Sequence, residues 1–173
     1  PDTIREAFRQ LTTGSPRPVE VEMPMDIMGL QAKVELLPAV DAYPPPPVDE
    51  NLVEAAVALL RTAKKPLIYV GSGAMEAGAE LLQVAESLQA PVVSFRAGKG
   101  IVSDDHYLSA NFPMGHTLWG EADVVLAIGT RLHWPLVMWG KDEDLKLIRV
   151  DIDPVQLERI CKPELGIVGD SAT

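Results

Sequence analysis

Leu67-Ile68-Tyr69-Val70-Gly71-Ser72-Gly73-Ala74 is a short apolar run that passes straight into two glycines. A strand with one wet face alternates apolar and polar residues, whereas this run does not alternate, so it reads as a strand buried on both faces. Pro66 closes the helical pattern before it. The same form recurs downstream. Pro91 restarts the chain as Val92-Val93-Ser94-Phe95, and Asp123-Val124-Val125-Leu126-Ala127-Ile128 runs into Gly129-Thr130-Arg131. Leu145 to Val150 ends at Asp151-Ile152-Asp153, and Leu165 to Val168 ends at Gly169-Asp170.

Helical spacing fills much of the space between these runs. Leu52, Val53, Ala56, Leu59 and Leu60 share one face, Asp49 is placed to cap that helix, and Lys64 and Lys65 lie where the helix dipole favours cations. Ala77, Leu81, Val84, Ala85 and Leu88 predict a second helix, and Pro154 opens a short one through Leu157 and Ile160. The stretch from Arg96 to about Trp119 reads as an irregular loop. Buried strands alternating with helices predict an α/β fold with a parallel sheet covered on both faces.

In such a sheet the ligand crevice lies beyond the carboxyl ends of the strands. Those ends carry Gly71 and Gly73, Gly98 and Gly100, Gly129, Asp151 and Asp153, and Gly169 with Asp170. Each glycine alone is explained by a turn and each aspartate by a helix cap. Their repetition at successive strand ends sets beside that reading a second one, a nucleotide-type ligand or its vestige, because glycine admits close backbone approach and carboxylates accept from ribose hydroxyls.

The segment ahead of residue 49 is organised differently. Ile4, Ala7, Phe8 and Leu11 predict a helix, Gly14-Ser15-Pro16-Arg17-Pro18 breaks it, and Val19-Glu20-Val21-Glu22-Met23 alternates like a half-buried strand. Asp41 to Val48 contains Pro44-Pro45-Pro46-Pro47, a stiff spacer of polyproline type. The expected division is 1–30 as the end of an upstream domain, 31–48 as linker and 49–173 as the main domain. The chain begins Pro1-Asp2-Thr3 without Met and ends Gly169-Asp170-Ser171-Ala172-Thr173, so a piece of a longer chain is expected.

Composition narrows the partners. Lys and Arg number 15 against 25 Asp and Glu, a net charge of -10, which argues against nucleic acid or an anionic membrane as a main partner. No apolar stretch has the length of a membrane span, and the first residues lack the form of a signal peptide. A single cysteine, Cys161, makes no internal disulfide; it reads as a small apolar residue of a cytoplasmic protein.

Motifs for local chemistry are sparse. Gly71-Ser72-Gly73 with Gly78 misses the dinucleotide fingerprint by two positions, and Gly98-Lys99-Gly100 lacks the glycine spacing and the Ser or Thr of a Walker loop, leaving Lys99 as a point charge for a phosphate. His106, His116 and His133 form no metal motif, and no nucleophile elbow occurs. No catalytic residue and no metal ligand is assigned. Trp119, Trp134 and Trp139, with Met114 and Met138, form an aromatic-rich region that is core if buried and a subunit or domain contact if exposed.

In order and spacing the sequence resembles the thiamine diphosphate-dependent enzymes related to acetolactate synthase. Pro18-Val19-Glu20-Val21-Glu22-Met23-Pro24-Met25-Asp26 looks like the end of that family's pyrimidine-binding domain. Pro66 to Gly73, Gly98-Lys99-Gly100, Ala122 to Arg131, Asp151-Ile152-Asp153 and Gly169-Asp170 resemble the motifs of its central domain. The resemblance implies a three-layer α/β/α fold whose six-stranded parallel, Rossmann-like sheet is of the sirtuin-like NAD- and FAD-binding type. It implies a parent enzyme that decarboxylates or ligates 2-oxo acids, a homodimer or homotetramer. Thiamine diphosphate and Mg would bind to pyrimidine- and diphosphate-binding domains outside this sequence.

Within it, the resemblance implies Gly71, Gly73, Gly129, Thr130, Arg131, Asp151, Ile152, Asp153, Gly169 and Asp170 as contacts for FAD or ADP, in a domain that is otherwise a structural spacer. Two positions depart from flavin-binding members. Leu132-His133-Trp134-Pro135 lacks their acidic residue after the Arg, and Met114-Gly115-His116-Thr117 replaces their Gly-Met-His-Gly loop, so FAD, ADP and no ligand all stay open. The alternatives are a stand-alone nucleotide-binding module of sirtuin-like fold and an NAD-consuming enzyme using His116.

Overall fold

A computed structural model describes residues 1–172 and divides the chain into two compact units, Pro1–Pro45 and residues 46 onward. The boundary falls inside the proline run. The first unit holds helix α1 (Asp2–Thr12) and the single turn α2 (Met25–Met28), neither with a buried residue. Its ends are tied together through Tyr43, whose amide donates to Thr13 Oγ1 at 3.0 Å and whose hydroxyl accepts from Arg9 at 3.2 Å. Arg9 also lies over the Tyr43 ring, 4.9 Å from its centroid. The strand expected over Val19–Met23 is absent. Its alternation is real, but a strand needs a hydrogen-bonded neighbour, and no described residue of this unit forms one.

The second unit is built on six strands. They are β1 (Pro66–Val70), β2 (Val92–Ser94), β3 (Ser109–Ala110), β4 (Val124–Ile128), β5 (Lys146–Asp151) and β6 (Leu165–Val168). All pair in parallel, in the order β3-β2-β1-β4-β5-β6. That is the doubly wound Rossmann order, in which the chain starts at the centre and builds outward to each edge in turn.

Side-chain alternation divides the strands between two cores. Ile68, Val70, Val92, Val124, Leu126 and Ile148 point to one face, where Ala56 and Leu60 of α3 (Glu50–Thr62) and Leu81 and Ala85 of α4 (Gly78–Leu88) cover them. Leu67, Tyr69, Val93, Val125, Ala127 and Leu147 point to the other, under Trp119 of α5 (Phe112–Glu121) and Leu136 of a π turn (Pro135–Trp139). This three-layer arrangement explains the unalternating strands: both faces are dry. A short helix, α6 (Pro154–Leu157), follows β5 and contributes the buried Leu157.

Most of the expected strands lie within a residue or so of their observed bounds. The stretch from Arg96 to Trp119 does not form a simple loop, because it contains β3 and most of α5. A two-residue strand is too short to show periodicity, and α5 is disguised by Pro113 and two glycines. Pro113 stands in the first turn, where its missing N–H costs nothing. Gly115 is required by packing, since a Cβ there would meet Val93 Cγ1 at 2.7 Å. Ile160 lies beyond α6 rather than on it. No helix among the described residues is long and apolar enough to cross a membrane.

Asp123 secures the turn from α3 into the sheet by accepting from the Lys64 amide at 2.7 Å and the Lys65 amide at 2.9 Å. Burial alone raises its pKa, but the backbone N–H groups of Lys64 and Lys65 outweigh that and hold it below the usual carboxylate value. A depressed folded pKa means stabilisation that is complete above the unfolded value of about 3.9 and disappears as pH falls through the folded one. Asp123→Asn should therefore lower the urea midpoint at neutral pH and flatten its fall below about pH 4. Parallel pH profiles for the two proteins would refute this.

Candidate functional site

Parallel strands bring all their carboxyl ends to one edge of the sheet, and β1, β4, β5 and β6 are consecutive neighbours there. The ten residues expected to contact a nucleotide are thereby gathered into one row. Hydrogen bonding continues past the strand ends: Gly71 N donates to Ile128 O at 3.1 Å, Gly129 N to Val150 O at 2.9 Å, and Gly169 N to Asp151 O at 3.1 Å. The row crosses the boundary between β1 and β4, where the two halves of the sheet diverge and α/β folds open their crevice.

At that boundary the glycines face one another. A Cβ on Gly71 would meet Gly129 O at 2.5 Å, one on Gly73 would meet Gly129 Cα at 2.7 Å, and one on Gly129 would strike the Gly73 backbone. Gly73 N also donates to Gly129 O at 3.0 Å. The glycines thus let two loops of the protein touch. Because the Gly71 and Gly73 amides are both engaged internally, this Gly-x-Gly does not present those two N–H groups to a phosphate.

The other members of the row divide by role. Thr130 Oγ1 accepts from Leu132 N at 3.2 Å, and Asp151 Oδ1 accepts from Asp153 N at 3.0 Å. Asp153 caps α6 through Val155 N at 3.0 Å, and Asp170 Oδ1 accepts from Ala172 N at 3.0 Å. Ile152 is half-buried and Gly169 is buried against Val48. Ser171 donates to Gly73 O at 2.6 Å, which brings the segment after β6 back to the loop after β1. Arg131 differs from all of these: it is exposed, and among the described residues no hydrogen bond or ion pair occupies its guanidinium.

One residue that organises this edge is missing from the expected set. Arg149 is only 1% exposed and donates to Leu157 O at 3.0 Å, Arg159 O at 3.1 Å and Thr130 O at 3.2 Å. It ties the loop after β4 to the loop after α6 from inside the core. Burial pulls its pKa down, and the charge of Asp151 beside it pulls the other way; a guanidinium starts high enough to stay charged at neutral pH. The signal was a cation in the middle of Leu147-Ile148-Arg149-Val150, where both faces are otherwise apolar.

Other expected features fall elsewhere. Lys99 faces Asp104 at 3.7 Å, and His106 pairs with Glu86 at 3.4 Å. Cys161 is half-buried at the margin of the core. The aromatic region is partly core and partly surface. Trp119 is buried and bonded to Gly140 O at 2.8 Å, Phe112 stacks on Phe95 at 4.2 Å, and Trp139 packs beside Tyr69, while Trp134, Met114 and Met138 are exposed.

Comparison with known proteins agrees with this architecture. A family model described as thiamine pyrophosphate enzyme, central domain, matches residues 53–173. The acetolactate synthase large subunit of Corynebacterium glutamicum is 34% identical over 99% of this chain, which covers 29% of that protein. The glyoxylate carboligase of Escherichia coli O157:H7 is 34% identical over 99% of the chain, covering 31% of the relative. A solved structure from Mycobacterium smegmatis, of a protein assigned as a thiamin diphosphate-dependent enzyme, superposes with a TM-score of 0.76 at 21% identity, covering 99% of this chain and 35% of that one. The chain therefore spans about a third of the length of these proteins.

Proposed function

This chain belongs to the thiamine pyrophosphate enzyme family as its central domain, and on that premise we propose that it is the middle part of a longer cytosolic enzyme that decarboxylates or ligates 2-oxo acids. The relatives align over 99% of the chain, including residues ahead of the central-domain match, which supports this over a stand-alone nucleotide module. In this reading residues 1–30 end the upstream pyrimidine-binding domain, residues 31–48 link, and the domain from residue 49 spaces the two catalytic domains of a homodimeric or homotetrameric parent. Among the described residues, no group of three or more His, Cys, Asp or Glu is placed to hold a metal ion. In this reading thiamine diphosphate and its Mg bind in the pyrimidine- and diphosphate-binding domains of the parent, where the cofactor supplies the carbanion chemistry of 2-oxo acid cleavage.

For the domain itself, the observation that counts most is the contrast between Arg131 and the glycines. Gly71, Gly73 and Gly129 close on one another and fit a rigid spacer. Arg131, exposed and unengaged at the same edge, fits a diphosphate, because its charge is permanent and its fork is bidentate. The best-supported ligand is thus the ADP group common to ADP and FAD, held through its diphosphate by Arg131 and not by a glycine-loop amide cradle.

Titrating the chain with ADP and FAD while following tryptophan fluorescence tests this, since Trp134 lies three residues beyond Arg131. The expected result is saturable quenching that Arg131→Ala abolishes, with no turnover of a 2-oxo acid when thiamine diphosphate and Mg are added. Silence toward both nucleotides, confirmed by calorimetry, would leave the domain a spacer alone. Turnover by the chain itself would overturn the expectation that it is not catalytic alone.

A further inference from the structure

We propose that the carboxyl edge of the sheet carries a stacking site for the planar ring of a nucleotide, with Trp134 as its face and Arg96 as a second cation beside Arg131. This rests on the diphosphate reading of Arg131 and adds residues outside the row of ten. The loops that follow β2, β1 and β4 meet at Gly71. A Cβ on Gly98, two residues past Arg96, would meet Gly71 Cα at 3.2 Å, and one on Gly71 would meet Thr130 Cβ, next to Arg131, at 2.8 Å. Arg96 and Arg131 are thus borne on loops that pack against one glycine, and their strands stand in register through Ser94, Val70 and Ile128.

An aromatic path joins the same two loops. Arg96 lies over the Phe95 ring, 5.1 Å from its centroid, Phe95 stacks on Phe112 at 4.2 Å, and Phe112 meets Trp134 edge to face at 6.1 Å. Trp134 ends the path 38% exposed, three residues past Arg131. Neither arginine is used up inside the protein: among the described residues no hydrogen bond or ion pair engages either guanidinium. Arg96 has φ +52 and Leu132, beside Arg131, has φ +48. A residue with a side chain adopts that left-handed conformation at a cost, and such costs gather at ligand sites. The three aspartates of the row follow β5 and β6, on the far side of β4 from Arg96, where each accepts a backbone N–H. Two free forks and an exposed indole on neighbouring loops fit a phosphate ester that carries a planar ring. Guanidinium pairs bidentately with phosphate, and a base stacks on an aromatic side chain through its π-face.

Calorimetry with ADP, and with inorganic pyrophosphate as the diphosphate without its ring, tests this. The chain should bind ADP about tenfold more tightly than pyrophosphate, the contribution of one stacked base. Trp134→Leu should bring ADP down to the pyrophosphate affinity and leave pyrophosphate unchanged, and Trp134→Phe should restore most of the difference. Arg96→Ala should weaken both ligands together, with circular dichroism unchanged in all three variants. ADP binding that Arg131→Ala abolishes but that Trp134→Leu and Arg96→Ala leave unchanged overturns this proposal and keeps the Arg131 reading. Binding of neither ligand overturns both.

Discussion

Gly129→Ala should destabilise the second unit more than any other substitution of a glycine by alanine in this chain. Two costs coincide there. Gly129 has φ +58, where a Cβ crowds the following carbonyl at a cost of about 1–2 kcal/mol. The added Cβ also lands on the backbone of Gly73 and Ala74, which cannot rotate away as a side chain does. Forcing extra volume into packed structure costs about 1–3 kcal/mol more, and the loop that must give way is hydrogen-bonded in place by Gly73 N at 3.0 Å. A combined loss of about 2–5 kcal/mol is a large share of the stability of a small domain.

Two companion variants separate the terms. Gly73→Ala meets the same collision, at 2.7 Å from Gly129 Cα, without a positive φ. Gly100→Ala has the positive φ, +91, with nothing within 4 Å of the added methyl. Urea midpoints should fall in the order Gly100→Ala, Gly73→Ala, Gly129→Ala, the last being lowest. A Gly129→Ala protein no weaker than Gly100→Ala would show that the loops do not press together as described.

Removing Arg149 should be comparably damaging for a different reason. Arg149→Met keeps the volume and the apolar stem but leaves the carbonyls of Thr130, Leu157 and Arg159 without their donor. It also removes the charge of Arg149 from beside Asp151. Leaving a buried acceptor without its donor costs about 1–3 kcal/mol, the desolvation of the group left behind, and three carbonyls are affected here. Part of the loss should be local. Hydrogen exchange should accelerate between Glu158 and Lys162, where Ile160 is held at φ +78, a conformation that a β-branched residue adopts only under restraint. Arg149→Lys should recover little, because one ammonium does not span carbonyls on two loops. A loss below about 1 kcal/mol, with exchange unchanged, would mean that water replaces the guanidinium at small cost.

Both predictions concern residues whose importance reads differently in one dimension and in three. Gly71, Gly73 and Gly129 stood out in the sequence as strand-end glycines that admit close approach of a ligand to the backbone. The structure adds a contact between two loops of the protein itself, which the sequence did not show, because pairing two glycines more than fifty residues apart depends on β1 and β4 being neighbours. Asp151, Asp153 and Asp170 were legible as strand-end carboxylates, and their backbone hydrogen bonds show capping and turn roles there. Arg149 was overlooked because periodicity weighs apolar positions and treats a lone charge inside a strand as an exception.

The amino-acid sequence by itself determined that five apolar runs are strands, where those strands end, and that α3 and α4 are helices, whereas α5 over the second face was not legible in it. The legible features follow from hydrophobic periodicity, proline and glycine, and each is settled within a few residues of chain. The resemblance carried in the spacing of its motifs reached further and implied six strands where the apolar runs marked five; the sixth is the two-residue β3. Only the tertiary structure decided the order β3-β2-β1-β4-β5-β6, the glycine contact at its centre, the partners of Arg149 and the absence of a strand over Val19–Met23. Each of these depends on which distant segment comes to lie alongside. Local patterning fixes how much of a segment is buried, and it carries no record of the neighbour that buries it.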